Sequence, residues 1–155
     1  MLKKILLNNL IALLVHVKSI VLFIVLMLVT ETLISPASAD VICVVTTCIS
    51  IILYVLCGFI LKPVEKFSFL SVVSVAIVLA VILAACIRPG AIDEYGEIVY
   101  LYFNPFLFPL TGLFFREPKI ITYPMFLLSP VYPSLLMYLG MIIRRKTASR
   151  RKSTA

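Results

Sequence analysis

The 155-residue sequence is poor in charge and in histidine. Only 14% of its residues are Asp, Glu, Lys or Arg, against about 25% in a soluble domain, which is too little polar surface to clothe a water-soluble globule. The single histidine, His16, excludes a multi-histidine zinc centre and most histidine-based triads. Four cysteines, Cys43, Cys48, Cys57 and Cys86, form no CxxC pair and have no metal-ligand spacing. Intramembrane catalysis would want paired acids, a Ser/His arrangement or HExxH, and none is present. The sequence therefore predicts no enzyme, no catalytic residue, no metal and no cofactor.

What the chain does have is apolar mass: 63% hydrophobic residues and a mean hydropathy of +1.17. Because a hydrocarbon core of about 30 Å needs about 20 apolar residues per helix, the chain has room for a few spans and no separate soluble domain. Residues 41–61 and 67–87 carry no charge and are separated only by "KPVEK", which predicts a tight helical hairpin. Pro63 would end the first helix or sit in the first turn of the second, with Glu65 near the positive end of its dipole. Asp40 is the expected N-cap of the first.

The N-terminal apolar stretch is interrupted by Asn8, Asn9, His16 and Lys18. It predicts a span over residues 18–34, with Lys18 snorkelling to the headgroups. At 100° per residue, Leu2, Leu6, Leu10, Leu13 and Val17 share one face, and Lys4, Asn8, Asn9, Ala12 and His16 the other, so residues 1–17 read as a modest amphipathic helix, either lying at the inner interface or continuing directly into the span. The rival is a signal peptide cleaved after Ala39, in "SPASAD". The eighteen residues before its apolar core would make an overlong n-region.

After Arg88 the texture changes: seven of the nine prolines and twelve of the seventeen aromatic residues lie between Arg88 and Tyr138. A last span over residues 124–143 contains Pro130 and Pro133, so it should kink or begin irregularly. The stretch "YLYFNPFLFPLTGLFF", Tyr100 to Phe115, is uncharged yet broken by Asn104, Pro105, Pro109 and Gly112, and in lipid it would leave backbone groups unsatisfied. Charge decides whether it crosses. With four spans, Lys3, Lys4, Lys18, Lys62, Lys66 and the six cations of the tail fall inside, leaving Arg88, Arg116 and Lys119 outside, so eleven of fourteen obey the positive-inside rule. Five spans would send the tail, or the N-terminus with "KPVEK", to the wrong side.

The predicted fold is thus an all-α integral membrane protein of the cell membrane. It is a multi-pass, four-helix transmembrane bundle with both termini cytoplasmic and an aromatic, Pro-rich extracytoplasmic segment over residues 88–123, re-entrant or interfacial, expected to form an outer cap packed across the mouth of the bundle. Within that segment "EIVYLYF" is compatible with a strand, a hairpin or a re-entrant helix. Residues 144–155 form a basic tail, expected to be disordered, in which Arg144, Arg145, Lys146, Arg150, Arg151 and Lys152 lie along an anionic inner leaflet. Without aromatic groups beside them these cations do not read as a nucleic-acid site.

Among candidate functional residues, Ala76, Ala80 and Ala84 recur every four positions and predict close helix packing, with Thr46, Ser50 and Gly58 as the matching surface or another protein's helix as the alternative. Cys43 and Cys86 fall at similar depth, compatible with a disulfide, although small buried thiols are the plainer reading. His16 is expected on the polar interfacial face. Glu31 is expected at the outer boundary, and Asp93, Glu94 and Glu97 on a solvated loop near Arg88 and Arg116. The function expected from this is non-enzymatic: contact with membrane partners, a second copy or lipid, in an accessory, sensory or immunity-type role. The alternative is a subunit of an oligomeric small-solute transporter or channel, with Glu31, His16, Lys18 and the hydroxyls of the second span along its path.

Overall fold

The computed structural model describes residues 1–33, 39–62, 69–88, 91–92, 94–105, 107 and 126–153. The Pro63–Glu65 turn, the "SPASAD" site up to Ser38, Asp93 and the stretch from Phe108 through Arg116 to Tyr123 lie outside the described residues.

The first helix, α1 (Leu2–Leu33), has 32 residues without a break and is about 48 Å long at 1.5 Å per residue. Of the two readings of residues 1–17, a separate interfacial helix or a direct continuation into the helix that follows, this continuity matches the second. No proline or glycine occurs before Leu33, and Asn8, Asn9 and His16, three of the four residues that break the apolar run, have partners on neighbouring elements. Its orientation is also the reverse of an interfacial helix. Asn8, Ala12 and His16 are buried, whereas Leu2, Leu6, Leu10 and Val17 are 80%, 71%, 55% and 55% exposed. A helix lying on a membrane surface would show its polar side to water.

Helix α2 (Ala39–Ile60, 22 residues) covers the expected second span. A 3-10 turn over Phe69–Ser71 leads into α3 (Val73–Cys86), whose 14 residues are fewer than the apolar run 67–87 suggested. Two-residue strands follow, β1 (Ile87–Arg88) and β2 (Ala91–Ile92), antiparallel with Ile87 opposite Ile92. Helix α4 (Glu94–Phe103) contains the whole "EIVYLYF" segment, so that segment is helical despite its β-branched and aromatic content. Packing has overridden propensity here: α4 lies on α3 and touches α1, and Tyr100, Leu101 and Asn104 are buried.

A second 3-10 turn, Ser129–Val131, introduces α5 (Tyr132–Ser153). The irregular start expected from the prolines is present: Pro130 lies in the 3-10 turn, and Pro133 sits in the first turn of α5, where a missing N–H costs little. The expectation of a disordered tail is corrected, because α5 continues through it to Ser153. Arg and Lys are good helix formers, and cations in the last turns face the negative end of the helix dipole.

The most extensive packing is between α2 and α5, and glycine explains it. A Cβ on Gly58 would stand 2.1 Å from the Met137 carbonyl oxygen and 2.9 Å from the Gly140 Cα, and one on Gly140 would stand 2.1 Å from the Val55 carbonyl oxygen. The two backbones are therefore in direct contact. Around this seam the core gathers Tyr54, Cys57, Leu61, Val72, Val75, Leu79, Tyr100, Leu107, Phe126 and Met137. The described chain is helical apart from the β1–β2 pair. Two stretches, Leu2–Val29 and Phe126–Ser149, are long and apolar enough to cross a membrane.

Candidate functional site

Ten polar side chains are buried among the described residues: Asn8, His16, Ser19, Thr46, Thr47, Ser50, Ser71, Asn104, Ser129 and Ser134. None is an acid or a permanent cation. Most of those with defined partners do one job, which is to satisfy backbone groups where helices end.

The first group holds the junction between α2 and α3. Asn8 Nδ2 donates to the Lys62 carbonyl at 2.8 Å while the Lys62 N–H donates back to Asn8 Oδ1 at 3.0 Å. Asn9 Nδ2 donates to the Leu70 carbonyl at 2.7 Å, and Asn9 Oδ1 accepts from the Ser74 N–H at 2.9 Å. Ser74 is in the first turn of α3, so Asn9 serves as an N-cap supplied from another helix. Ser134 of α5 does the same for the next orphan donor: its hydroxyl accepts from the Ala76 N–H at 3.2 Å and donates to the Val72 carbonyl at 2.7 Å. Arg144 closes the C-terminus of α2, donating to the Phe59 and Leu61 carbonyls at 2.7 and 2.8 Å, where a cation also suits the dipole.

The second group lies about two helical turns away along α1. His16 Nδ1 and the Tyr54 hydroxyl are 2.7 Å apart, and the Phe103 backbone is the other partner of the imidazole. A carbonyl can only accept, so the ring nitrogen facing Phe103 carries the hydrogen and Nδ1 of the neutral ring accepts from Tyr54. His16 thereby ties the end of α4 to α1 and α2.

On the other side of α4 the direction of every bond can be read. Ser129 Oγ donates to the Phe126 carbonyl at 2.7 Å, so it accepts from the Tyr100 hydroxyl. Tyr100 in turn accepts from Asn104 Nδ2 at 3.2 Å, and the same amide nitrogen reaches the Ser129 carbonyl at 3.4 Å. That assignment orients the Asn104 amide. Its Oδ1 is buried without a hydrogen-bond partner among the described residues, while the Asn104 carbonyl accepts from the Leu107 N–H at 2.9 Å.

The residues singled out in the sequence are distributed differently from expectation. Ala76 is at the α3–α5 contact, but Ala80 and Ala84 are exposed; the buried face of α3 is Val75, Ala76, Leu79 and Leu83. Gly58 meets α5, not α3. The close small-residue contact is thus Gly58 with Gly140, because only a residue without Cβ lets two backbones touch, whereas alanine at every fourth position is equally suited to an outward face. Of the basic cluster, Arg144 caps α2, Arg145 and Lys146 are exposed, and Arg150, Arg151 and Lys152 lie on the last turns of α5. Cys86, like Cys48 and Cys57, is a free thiol. Glu31, Cys43, Arg88, Glu94 and Glu97 lie in regular elements, but their side chains are outside the described residues.

His16 is not at an interface but at the centre of the interior network. Lys18 is exposed two residues further along α1, level with Tyr54 and far from a helix end. The roles of Asn8, Asn9, Ser134 and Arg144 were not legible, since capping in trans leaves no spacing signal along the chain. Among the described residues no three His, Cys, Asp or Glu side chains come together to hold a metal ion. No protein-family model, no curated protein and no solved structure matches this chain, so its functional reading rests on its own residues.

Proposed function

We propose that this chain is a small, non-enzymatic integral membrane protein that acts by contact with a partner in the bilayer, in an accessory, sensory or immunity-type role. In this reading α1, α2, α3 and α5 are its four spans, α4 is a re-entrant helix entering from the outer face, and both termini are cytoplasmic in the cell membrane. One observation carries it: α1 is inside out relative to a helix on a water-soluble fold, with Asn8 and His16 turned into the bundle and large apolar side chains facing outward along its length. An interior spent on holding the bundle together leaves its outer surface for function.

The distribution of charge supports the orientation. Asn8 and Asn9 of α1 meet the α2–α3 junction, and Arg144 of α5 meets the end of α2. Lys3, Lys4, Lys62 and Arg144–Lys146 consequently gather at one end of the bundle, as the positive-inside rule requires of a cytoplasmic face. The helix of α4 supports re-entry: Tyr100 and Asn104 at its end are fully buried, and its last carbonyls are answered by His16 and Leu107, which is how broken helices are tolerated at membrane depth.

The test uses single cysteines at Gly96 and Thr147 in a chain whose four native cysteines are replaced. An impermeant maleimide should label Gly96→Cys on intact cells and Thr147→Cys only after permeabilisation. Labelling of both from one side overturns the topology and, with it, the reading. A transporter subunit is the second reading, favoured by the unpartnered Asn104 Oδ1 at the broken end of α4. Solute uptake by proteoliposomes that is lost on Asn104→Leu would put it first.

A further inference from the structure

Lys18 is the one charged residue within a long exposed apolar stripe. On its N-terminal side Leu6, Leu10 and Leu14 are 71%, 55% and 54% exposed, and on its C-terminal side Val21, Leu22, Val25 and Leu28 are 56%, 40%, 49% and 59% exposed. At 1.5 Å per residue this stripe reaches about 18 Å beyond Lys18 toward the N-terminus and about 15 Å toward the C-terminus. A lysine side chain extends only about 6 Å, so with lipid covering the stripe the ammonium does not reach either headgroup layer by snorkelling. In the proposed membrane placement Lys18 lies deeper than the boundary position expected from the sequence, because α1 packs into the bundle from Asn8 onward.

We propose that Lys18 is the recognition point for a transmembrane helix of a different protein, one that carries a carboxylate near the middle of the bilayer. This deepens the partner-binding reading and rests on its membrane placement. A cation at that depth is costly unless an opposite charge answers it, and the chemistry of the answer is an Asp or Glu. Among the described residues a second copy supplies none: Glu31, Asp40, Glu94 and Glu97 all fall in the first or last turn of a helix, and Glu31 is thirteen residues from Lys18 on the same helix, about 20 Å away. The surface around the ammonium is complementary to an apolar helix: Leu14, Val17, Val21 and Val25 flank it on exposed positions. The carboxylate sets the depth and register of the partner, and the aliphatic stripe supplies the packing.

The full-length protein, reconstituted in vesicles and checked for insertion by resistance to alkaline extraction, is titrated with poly-leucine transmembrane peptides that differ only at their central residue. Association is read by energy transfer between labels. A central-Asp peptide should bind the native chain about tenfold more tightly than a central-Leu peptide, and Lys18→Leu should abolish the difference. Lys18→Asp paired with a central-Lys peptide should restore it. Equal binding of the Asp and Leu peptides, or preference retained by Lys18→Leu, overturns the proposal, as does self-association of the native chain that Lys18→Leu abolishes, since the occupant would then be a second copy. Because the substitution is on an exposed position, loss of fold does not confuse the outcome. The cysteine-labelling experiment judges the membrane topology separately.

Discussion

Asn8 shows what a single side chain does in a bundle of this kind. Its amide returns both hydrogen bonds to the backbone of Lys62, so Asn8→Ala leaves a donor and an acceptor without partners at the end of α2. The expected loss is about 1–3 kcal/mol, read as an earlier transition in unfolding by sodium dodecyl sulfate, and Leu10→Ala on the exposed face of the same helix should leave the transition nearly unmoved. Tyr54→Phe removes the only hydroxyl on His16 Nδ1 and should destabilise by a similar amount in the same titration. The polar set Asn8, Asn9, Ala12 and His16 was legible in the sequence as a face of a helix, but its direction was not. Periodicity says which residues point the same way; only the packing of α1 on its neighbours says whether that way is in or out. Lys18 belongs to the same lesson, since its depth depends on where α1 docks.

Helix pairing belongs to the element scale, and the α2–α5 seam is its clearest case. Gly58→Ala or Gly140→Ala places a methyl within 2.1 Å of a carbonyl oxygen on the facing backbone, and the helices must part to accommodate it. Each is expected to destabilise by about 2–3 kcal/mol. The double variant should cost less than the sum, because the first substitution has already opened the seam; a double-mutant cycle in detergent measures this. Ala80→Leu and Ala84→Leu, on exposed positions, should change stability by less than about 0.5 kcal/mol. Gly58 was recognisable as a small residue on a helical face, yet its partner was not, since Gly140 stands alone on α5 in a sequence that advertises its alanines. The existence of α2, α3 and α5 was readable from uncharged runs and proline punctuation. The helicity of α4 was only one of three readings left open, because residues Ile98 to Phe103 have the composition of a strand and become a helix by packing on α3.

At the scale of the molecule, Lys3, Lys4, Lys62 and Arg144–Lys146 share one end, and the end of α2 and the start of α3 are held from the side by α1 and α5. If orientation follows the summed cations, it should survive loss of the tail charges: with Arg145, Lys146, Arg150, Arg151 and Lys152 all changed to Gln, Lys3, Lys4, Lys62, Lys66 and Arg144 still outnumber Arg88, Arg116 and Lys119. Thr147→Cys in that background should remain protected from an impermeant reagent on intact cells. Binding of the purified protein's tail to anionic vesicles should fall, because each cation near such a surface contributes about 1 kcal/mol, while Arg144 keeps α2 capped. What the sequence determined by itself is the solvent the chain is suited to and the places where helices run, because hydropathy and proline act locally and are written residue by residue. What only the tertiary structure decided is which polar groups answer each other: Asn8 with Lys62, Asn9 with Ser74, Ser134 with Ala76, His16 with Tyr54. Those pairs join residues 38 to 65 positions apart, and a hydrogen bond between distant segments exists only once packing has brought the two ends of the chain's interval to the same depth.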